Sequence, residues 1–268
     1  MTEQLREIGP LRALLAHPPL GLISDIDGTL APIVPRPEEA AVSPRCRALL
    51  KGLVERGVRV ALITGRALGV ARAMLALEGV AYAANHGLSL WLEGREETPA
   101  SVAEYVSRAQ EVMRALAGLD IPGVTLEDKG PVLAVHYRRA VNEGVARGAV
   151  LRAIEALPAA QAFRLHEGRK VIEMRPPLAI NKGTALAALA PRLGVRAVIC
   201  LGDDATDIDM FRAVDRLREG GLPGATVAVR NEEATPEVLA SADYWVEGVP
   251  GVEWLLQELL NALPKTPP

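Results

Sequence analysis

The stretch LISDIDGTL, residues 22–30, decides how the chain is read. An apolar run, LGLIS at 20–24, leads into two carboxylates, Asp25 and Asp27, two positions apart and directly before Gly28. A short apolar run of this kind reads as a strand buried on both faces, as in parallel sheets. In open α/β sheets, ligands bind at the carboxyl ends of such strands. Two like charges at that mouth repel one another, so they call for a cation or a chemical task.

Working outward, strand and helix alternate. SPRCRALLKGLVERG (43–57) reads as a helix, with Ser43 as its cap, Pro44 at its first position and Gly57 at its exit. Cys46, Leu49, Leu50, Leu53 and Val54 repeat at helical spacing and give it one apolar face. VRVALIT (58–64) is a second strand, a helix follows over about 66–77, and VAYAANHG (80–87) reads as a third strand. The rhythm then changes to a helix over about 99–118, a hairpin at 124–138 turning on DKGP, a helix at 142–157, and a second hairpin at 163–175 turning near Gly168. That order predicts an antiparallel sheet backed by two helices. The first rhythm resumes with a helix over about 182–193, strand AVICL (197–201), a helix over about 206–218, strand ATVAV (225–229) and a closing helix near 252–262. The tail, PKTPP, reads as disordered.

The other core strands end in chemistry too. VALIT runs into Thr64-Gly65-Arg66, and VICLG runs into Asp203 and Asp204, with Asp207 close behind. Lys182, one of five lysines, opens a helix, where the helix dipole disfavours a cation unless an anion lies near. Clustered carboxylates suit a hard, oxygen-seeking ion such as Mg²⁺. A carboxylate beside that ion can attack phosphorus, and a second one two residues on can serve as acid and base. Thr64 and a backbone amide can hold phosphoryl oxygens, and Lys182 can neutralise the remaining charge. A lone DxD would as readily cap a turn. Four such groups in order, each at a strand end or helix start, point to phosphoryl transfer.

These motifs, DIDGTL, TGR, NKG and GDDATD, resemble the four ordered motifs of the haloacid dehalogenase superfamily of phosphatases. The resemblance implies Asp25 as the nucleophile that forms an aspartyl-phosphate and Asp27 as acid and base. It implies Thr64 and Lys182 as phosphoryl holders, with Gly65 and Arg66 beside the substrate. It places Mg²⁺ on Asp25, Asp203 and the backbone carbonyl of Asp27, supported by Asp207 and Asp204. LEDKGPVLAVHYR, GRKVIEMRP, NHG at 85–87 and the late GVPGVEWLL look like the trehalose-6-phosphate phosphatases, from about residue 20 to 260. One position departs: that family reads GDDxTDEDMF, and Ile208 stands where the glutamate would be.

The fold so implied is α/β, a Rossmann-like parallel-sheet core with an inserted α/β cap of antiparallel sheet and two helices. Residues 1–94 and 179–268 form the core and 95–178 the cap. The implied activity is hydrolysis of trehalose 6-phosphate, with Glu127, Lys129, Arg138, Lys170 and Glu173 on the cap binding the sugar and His86 at the site edge. Functional pairing with a trehalose-6-phosphate synthase is consistent with the resemblance. Phosphatases of the same superfamily acting on sucrose phosphate or mannosylphosphoglycerate are the nearest alternatives. A non-catalytic sugar-phosphate sensor or a receiver domain is more distant, since a receiver has no cap.

Composition sets bounds on the rest. The 268 residues carry a formal net charge of -3, which gives no reason to expect nucleic acid or an anionic membrane as partner. No apolar run approaches the ~18 residues a bilayer span needs. The start has no continuous apolar segment of a signal peptide. Both cysteines, Cys46 and Cys200, fall in apolar runs and read as buried thiols in a reducing, cytoplasmic setting. Leu30 occupies the sixth position from Asp25, where a calcium-binding EF-hand loop needs glycine. Nothing reads as a phosphate-binding P-loop.

Overall fold

The structure is a computed structural model that describes residues 2–168 and 170–265. Met1, Arg169 and residues 266–268, the last part of the tail expected to be disordered, lie outside the described residues. The chain forms two compact units, Met1–Glu96 with Ile180–Pro268, and Glu97–Ala179.

In chain order the elements are β1 (Glu3–Gln4), α1 (Arg12–Leu15), β2 (Leu20–Ser24), α2 (Pro44–Glu55), β3 (Arg59–Ile63), α3 (Leu68–Leu75), β4 (Ala81–Ala84), β5 (Ser89–Leu92) and β6 (Arg95–Glu97). The second unit contributes α4 (Ala100–Leu116), β7 (Thr125–Asp128), β8 (Leu133–His136), α5 (Glu143–Glu155), β9 (Arg164–Gly168) and β10 (Val171–Arg175). The chain then returns with α6 (Lys182–Arg192), β11 (Ala197–Gly202), α7 (Ile208–Glu219), β12 (Gly224–Arg230), α8 (Pro236–Ala240), β13 (Tyr244–Glu247) and α9 (Gly248–Ala262).

Among the described residues, the first sheet has the strand order β1-β13-β12-β11-β2-β3-β4-β5-β6. From β1 to β4 every pairing is parallel, and β5 pairs antiparallel with β4. From β2 the chain winds outward through β3 and β4. After the second unit it starts again at β11 on the other side of β2 and winds through β12 and β13. The boundary between β2 and β11 is therefore the topological switch point, the place at which open α/β sheets bind their ligands. Leu201 pairs with Ser24 across it, so the residues that follow each strand emerge side by side.

Both faces of this sheet are covered, which is why its strands read as unbroken apolar runs. Leu22, Ile199 and Leu201 pack on one face with Cys46, Leu50 and Leu53 of α2, Ala71 and Leu75 of α3, and Leu255, Leu256 and Leu259 of α9. Ile23, Val198 and Cys200 pack on the other with Leu186 and Leu189 of α6 and Met210 and Phe211 of α7. Helix α2 starts as its sequence predicts. The Ser43 hydroxyl accepts the Cys46 N–H at 2.9 Å and Pro44 takes the first turn, where a missing N–H costs nothing.

In the second unit the sheet order is β7-β8-β10-β9, antiparallel throughout. One face, with Val135, Ile172 and Met174, packs on Val112 and Leu116 of α4 and Val150 and Ile154 of α5. On the opposite parity, Glu127, Ala134 and Glu173 stand in one register row across three strands. A parallel α/β unit interrupted by an antiparallel α/β unit is the architecture the sequence predicts.

One expected element differs, and the short elements β1, α1, β5, β6, α8 and β13 were not expected. The strand expected over 80–87 stops at Ala84. Asn85 and His86 take φ of 50° and 59°, and the chain reverses into β5. Asparagine and glycine supply the turn chemistry this needs. No helix of the described residues is long and apolar enough to cross a membrane.

Candidate active site

The switch point gathers the sequence motifs. Asp25 follows β2, and its N–H continues the ladder to the Leu201 carbonyl at 3.0 Å. Asp203 follows β11. Asp207 ends the next turn, immediately before α7. One carboxylate oxygen from each of these three buried acids lies within 4.8 Å of the other two.

Gly28 is what lets the loop after β2 pass so close. Its φ is +78°, and a Cβ there would lie 1.9 Å from Asp203 Oδ2. The hydroxyl of the next residue, Thr29, donates to Asp203 Oδ1 at 2.9 Å. From the end of β12, Asn231 Nδ2 donates to Asp203 Oδ2 at 2.8 Å. Asp203 is thus oriented from two sides, while each of its oxygens keeps lone-pair capacity for a ligand.

Asp207 is committed differently. Its Oδ2 accepts the backbone N–H groups of Asp203 and Asp204 at 2.9 and 3.0 Å, and its Oδ1 accepts Lys182 Nζ at 2.7 Å. Both oxygens are spent on shaping the loop and holding the lysine, which makes Asp207 a support for the site. Asp204 accepts from the Thr206 N–H and hydroxyl at 2.8 and 2.6 Å and lies 3.8 Å from Lys182.

Lys182 reaches this point because α6 begins there. Asn181 and Thr184 form a capping box, Asn181 Oδ1 accepting the Thr184 N–H at 2.8 Å and Thr184 Oγ1 the Asn181 N–H at 2.9 Å. Lys182 is buried, with Asp207 at 2.7 Å and Asp25 at 3.0 Å. These are the anions that a cation at a helix N-terminus requires. Burial alone would strip its proton, but Asp207 and Asp25 outweigh that and hold its pKa well above the ordinary lysine value.

The carboxylates lack such compensation. Burial, against Lys182 and with the repulsion of Asp207 and Asp203, holds Asp25 well above the usual carboxylate range. Burial and the charges of Asp207 and Asp204 push Asp203 up to about 7, despite the bonds from Asn231 and Thr29. Three buried acids and one ammonium leave an excess of buried negative charge, and a divalent cation would relieve it. The donor set, carboxylate and carbonyl oxygen without sulfur, fits a hard ion.

Thr64 ends the neighbouring strand, buried, with its N–H on the Ala83 carbonyl at 2.9 Å and its hydroxyl accepting the Arg66 N–H at 3.2 Å. A side chain at Gly65 would lie 2.7 Å from His86 Nε2, so the His86 ring packs directly on that glycine. Arg66 grips Asp27 with a two-pronged ion pair, Nε to Oδ2 at 2.7 Å and Nη2 to Oδ1 at 2.6 Å.

In the second unit, Lys129 Nζ lies 2.8 Å from Glu173 and 4.0 Å from Glu127. His136 Nε2 meets Glu127 at 2.7 Å, and Arg175 Nε meets Glu173 at 2.9 Å. Burial works against ionisation of Glu173, but Lys129 and Arg175 outweigh it and hold the carboxyl at about 2. The His136 hydrogen bond lowers Glu127 despite partial burial. Lys170 stands apart from this cluster, paired with Glu143 of α5 at 2.7 Å. Arg138 lies two residues past β8 and makes no ion pair among the described residues.

Several polar partners were not read from sequence: Thr29, Asn231, His136 and Arg175. Two carried a usable signal. Asn231 directly follows a core strand, as Asp25 and Asp203 do, and Arg175 shares the parity of Glu173 along β10.

Residues 23–243 match the trehalose-phosphatase family. The chain is 36% identical over 210 residues to a probable trehalose-phosphate phosphatase of Sinorhizobium fredii, covering 75% of each chain. It is 32% identical over 241 residues to an uncharacterized glycosyl hydrolase of Mycobacterium tuberculosis, covering 86% of this chain but only 18% of that longer protein. Among solved structures, a trehalose-6-phosphate phosphatase related protein superposes with a TM-score of 0.72 over 91% of this chain and 100% of its own, at 23% identity. That likeness is one of fold.

Proposed function

The chain belongs to the trehalose-phosphatase family, and from that premise we propose that it hydrolyses trehalose 6-phosphate to trehalose and inorganic phosphate. The observation that carries the reading is the buried pair of Asp25 and Lys182, 3.0 Å apart beside Asp203 at the switch point.

In this reading Asp25 attacks phosphorus, and the bond from phosphorus to the sugar oxygen breaks with its electron pair on that oxygen. Asp27 donates the proton the leaving oxygen needs. The aspartyl-phosphate on Asp25 is then opened by water, which gives a proton to Asp27 as its oxygen bonds to phosphorus. The Asp25–phosphorus bond breaks, phosphate departs, and both carboxyl groups return to their starting states. Lys182 and the Thr64 hydroxyl stabilise the phosphoryl oxygens as charge builds on them. Asp25, Asp203 and the main-chain carbonyl of Asp27 would hold Mg²⁺, which when bound supplies the positive charge that lets a dianionic phosphate approach a carboxylate. Asp207 and Asp204 keep the loop and the lysine in place.

The first unit treats phosphate monoesters alike, so selectivity for the sugar is assigned to the second unit. Glu127, Lys129 and Glu173, with His136 and Arg175, offer charged donors and acceptors to hydroxyl groups. Arg138 and Lys170 are kept as outer candidates, and Gly65 and His86 as the rim of the phosphoryl site. A synthase that makes trehalose 6-phosphate is the functional partner this activity calls for.

The metal requirement tests the reading. Phosphate release from trehalose 6-phosphate should stop in excess chelator and return on adding Mg²⁺. Full turnover in chelator would rule out this mechanism.

A further inference from the structure

The two carboxylates of the DID motif are served by different cations. Asp25 lies against Lys182, inside the buried cluster. Asp27 lies against Arg66, with both of its oxygens taken by the guanidinium fork at 2.7 and 2.6 Å. A carboxylate held at both oxygens cannot rotate about its last bond without breaking a charge-assisted hydrogen bond.

Arg66 is itself fixed at both ends. Its N–H donates to Thr64 Oγ1 at 3.2 Å, and its carbonyl accepts the Asn85 N–H at 3.0 Å. At the far end, Nη2 also donates to the Pro37 carbonyl at 3.0 Å. Its side chain is 15% exposed, less than the 37% of Asp27. The anchored partner is therefore the arginine, and the carboxyl of Asp27 takes its direction from it.

Resting on the reading of Asp27 as acid and base, the geometry points to Arg66 as a positioning residue that acts through Asp27, and not as a group that holds phosphate or sugar. The fork aims the carboxyl for proton transfer at the leaving oxygen and then at water. For Asp27 to carry a proton, one of its oxygens must release one prong, and the Pro37 contact keeps the arginine in place while it does. Lysine has no fork and can make only one of the two bonds.

The test is a double-mutant cycle on trehalose 6-phosphate with Asp27→Asn, Arg66→Ala, Arg66→Lys and the double variant Asp27→Asn/Arg66→Ala, each checked for an unchanged thermal midpoint. Arg66→Ala is expected to lower kcat about tenfold or more with KM within about twofold, and Arg66→Lys to recover only part of that loss. In the Asp27→Asn background, removing Arg66 should cost nothing further, because the group it acts through is gone. With p-nitrophenyl phosphate, whose leaving group needs no proton, the fall in kcat/KM of Arg66→Ala should be much smaller than with trehalose 6-phosphate.

A rise in KM at constant kcat on both substrates would overturn the inference and return Arg66 to substrate binding. Losses that multiply in the double variant would overturn it in favour of an independent role. Both outcomes leave the acid and base reading of Asp27 intact. Near-normal activity of Asp27→Asn on trehalose 6-phosphate would instead remove that reading, and this inference with it. If Arg66→Ala unfolds, Arg66→Lys against Asp27→Asn/Arg66→Lys completes the same cycle.

Discussion

Asp203 is the residue at which, in the proposed function, a proton and a metal ion would compete. Its carboxyl is pushed from 3.8 to about 7 by burial and by Asp207 and Asp204. Between those values the folded chain keeps a proton the unfolded chain has lost. The folded state then binds more protons, so stability falls as pH rises through that window. Three pKa units correspond to roughly 4 kcal/mol in order of magnitude. A divalent cation on Asp203 would replace the proton and remove the penalty. The thermal midpoint of metal-free protein is therefore expected to fall from pH 5 to pH 7.5, and Mg²⁺ to raise it more at pH 7.5 than at pH 5. Equal increments at both pH values would mean that Asp203 is not where the ion binds. At this scale the meeting of the motif acids with Lys182 was legible, because each stands directly after a core strand or at a helix start. The Arg66–Asp27 fork was not legible as a pair. It joins two loops through side-chain directions that spacing alone does not fix, and Thr29 and Asn231 meet Asp203 only once the strands are in register.

Helix α6 is the element that brings Lys182 to the acids, and its placement depends on Gly183. A Cβ at that position would lie 2.2 Å from the Asp209 carbonyl oxygen of α7, a main-chain atom that cannot swing aside. Gly183→Ala must push α6 and α7 apart. Overpacking of this kind costs about 1–3 kcal/mol, and it also moves Lys182, which occupies the preceding position. The expected result is a lower urea midpoint together with a fall in kcat. An alanine variant with wild-type stability and kcat would show that the approach of the two helices does not position the lysine. Most elements were readable because their apolar spacing is regular and their ends are punctuated, as Ser43-Pro44 punctuates α2. The reversal after Ala84 was read as continuing strand because the apolar run leads straight into Asn85, although the asparagine and Gly87 carry turn chemistry and the left-handed backbone at Asn85 and His86 uses it. Two-residue β1, and the half-buried β13 beside Asp243, lack the length and patterning that would single them out.

At the scale of the whole molecule, the two units carry different groups. The first holds the carboxylates and Lys182, and the second holds the charged cluster of Glu127, Lys129 and Glu173. The division was visible in the sequence as a change of rhythm from strand–helix alternation to helix and hairpin. The grouping within the second unit was not, since it depends on register. Glu127 and Glu173 face the same way only because both pair with Ala134, while Lys170 is drawn off to Glu143. If the second unit selects the sugar, Glu173→Gln should lower kcat/KM for trehalose 6-phosphate by about ten- to a hundredfold, as expected for hydrogen bonds to a charged group. Hydrolysis of p-nitrophenyl phosphate should change little, and a parallel fall on both substrates would assign Glu173 to folding. All of this presumes covalent chemistry at Asp25, and one measurement reaches that directly: the rate of phosphate release from trehalose 6-phosphate by Asp25→Asn beside the wild-type protein, in Mg²⁺, with folding checked by circular dichroism. An amide cannot form the acyl-phosphate, so the variant is expected to fold while its turnover falls by several orders of magnitude. A folded Asp25→Asn protein that kept a tenth of wild-type turnover would contradict it.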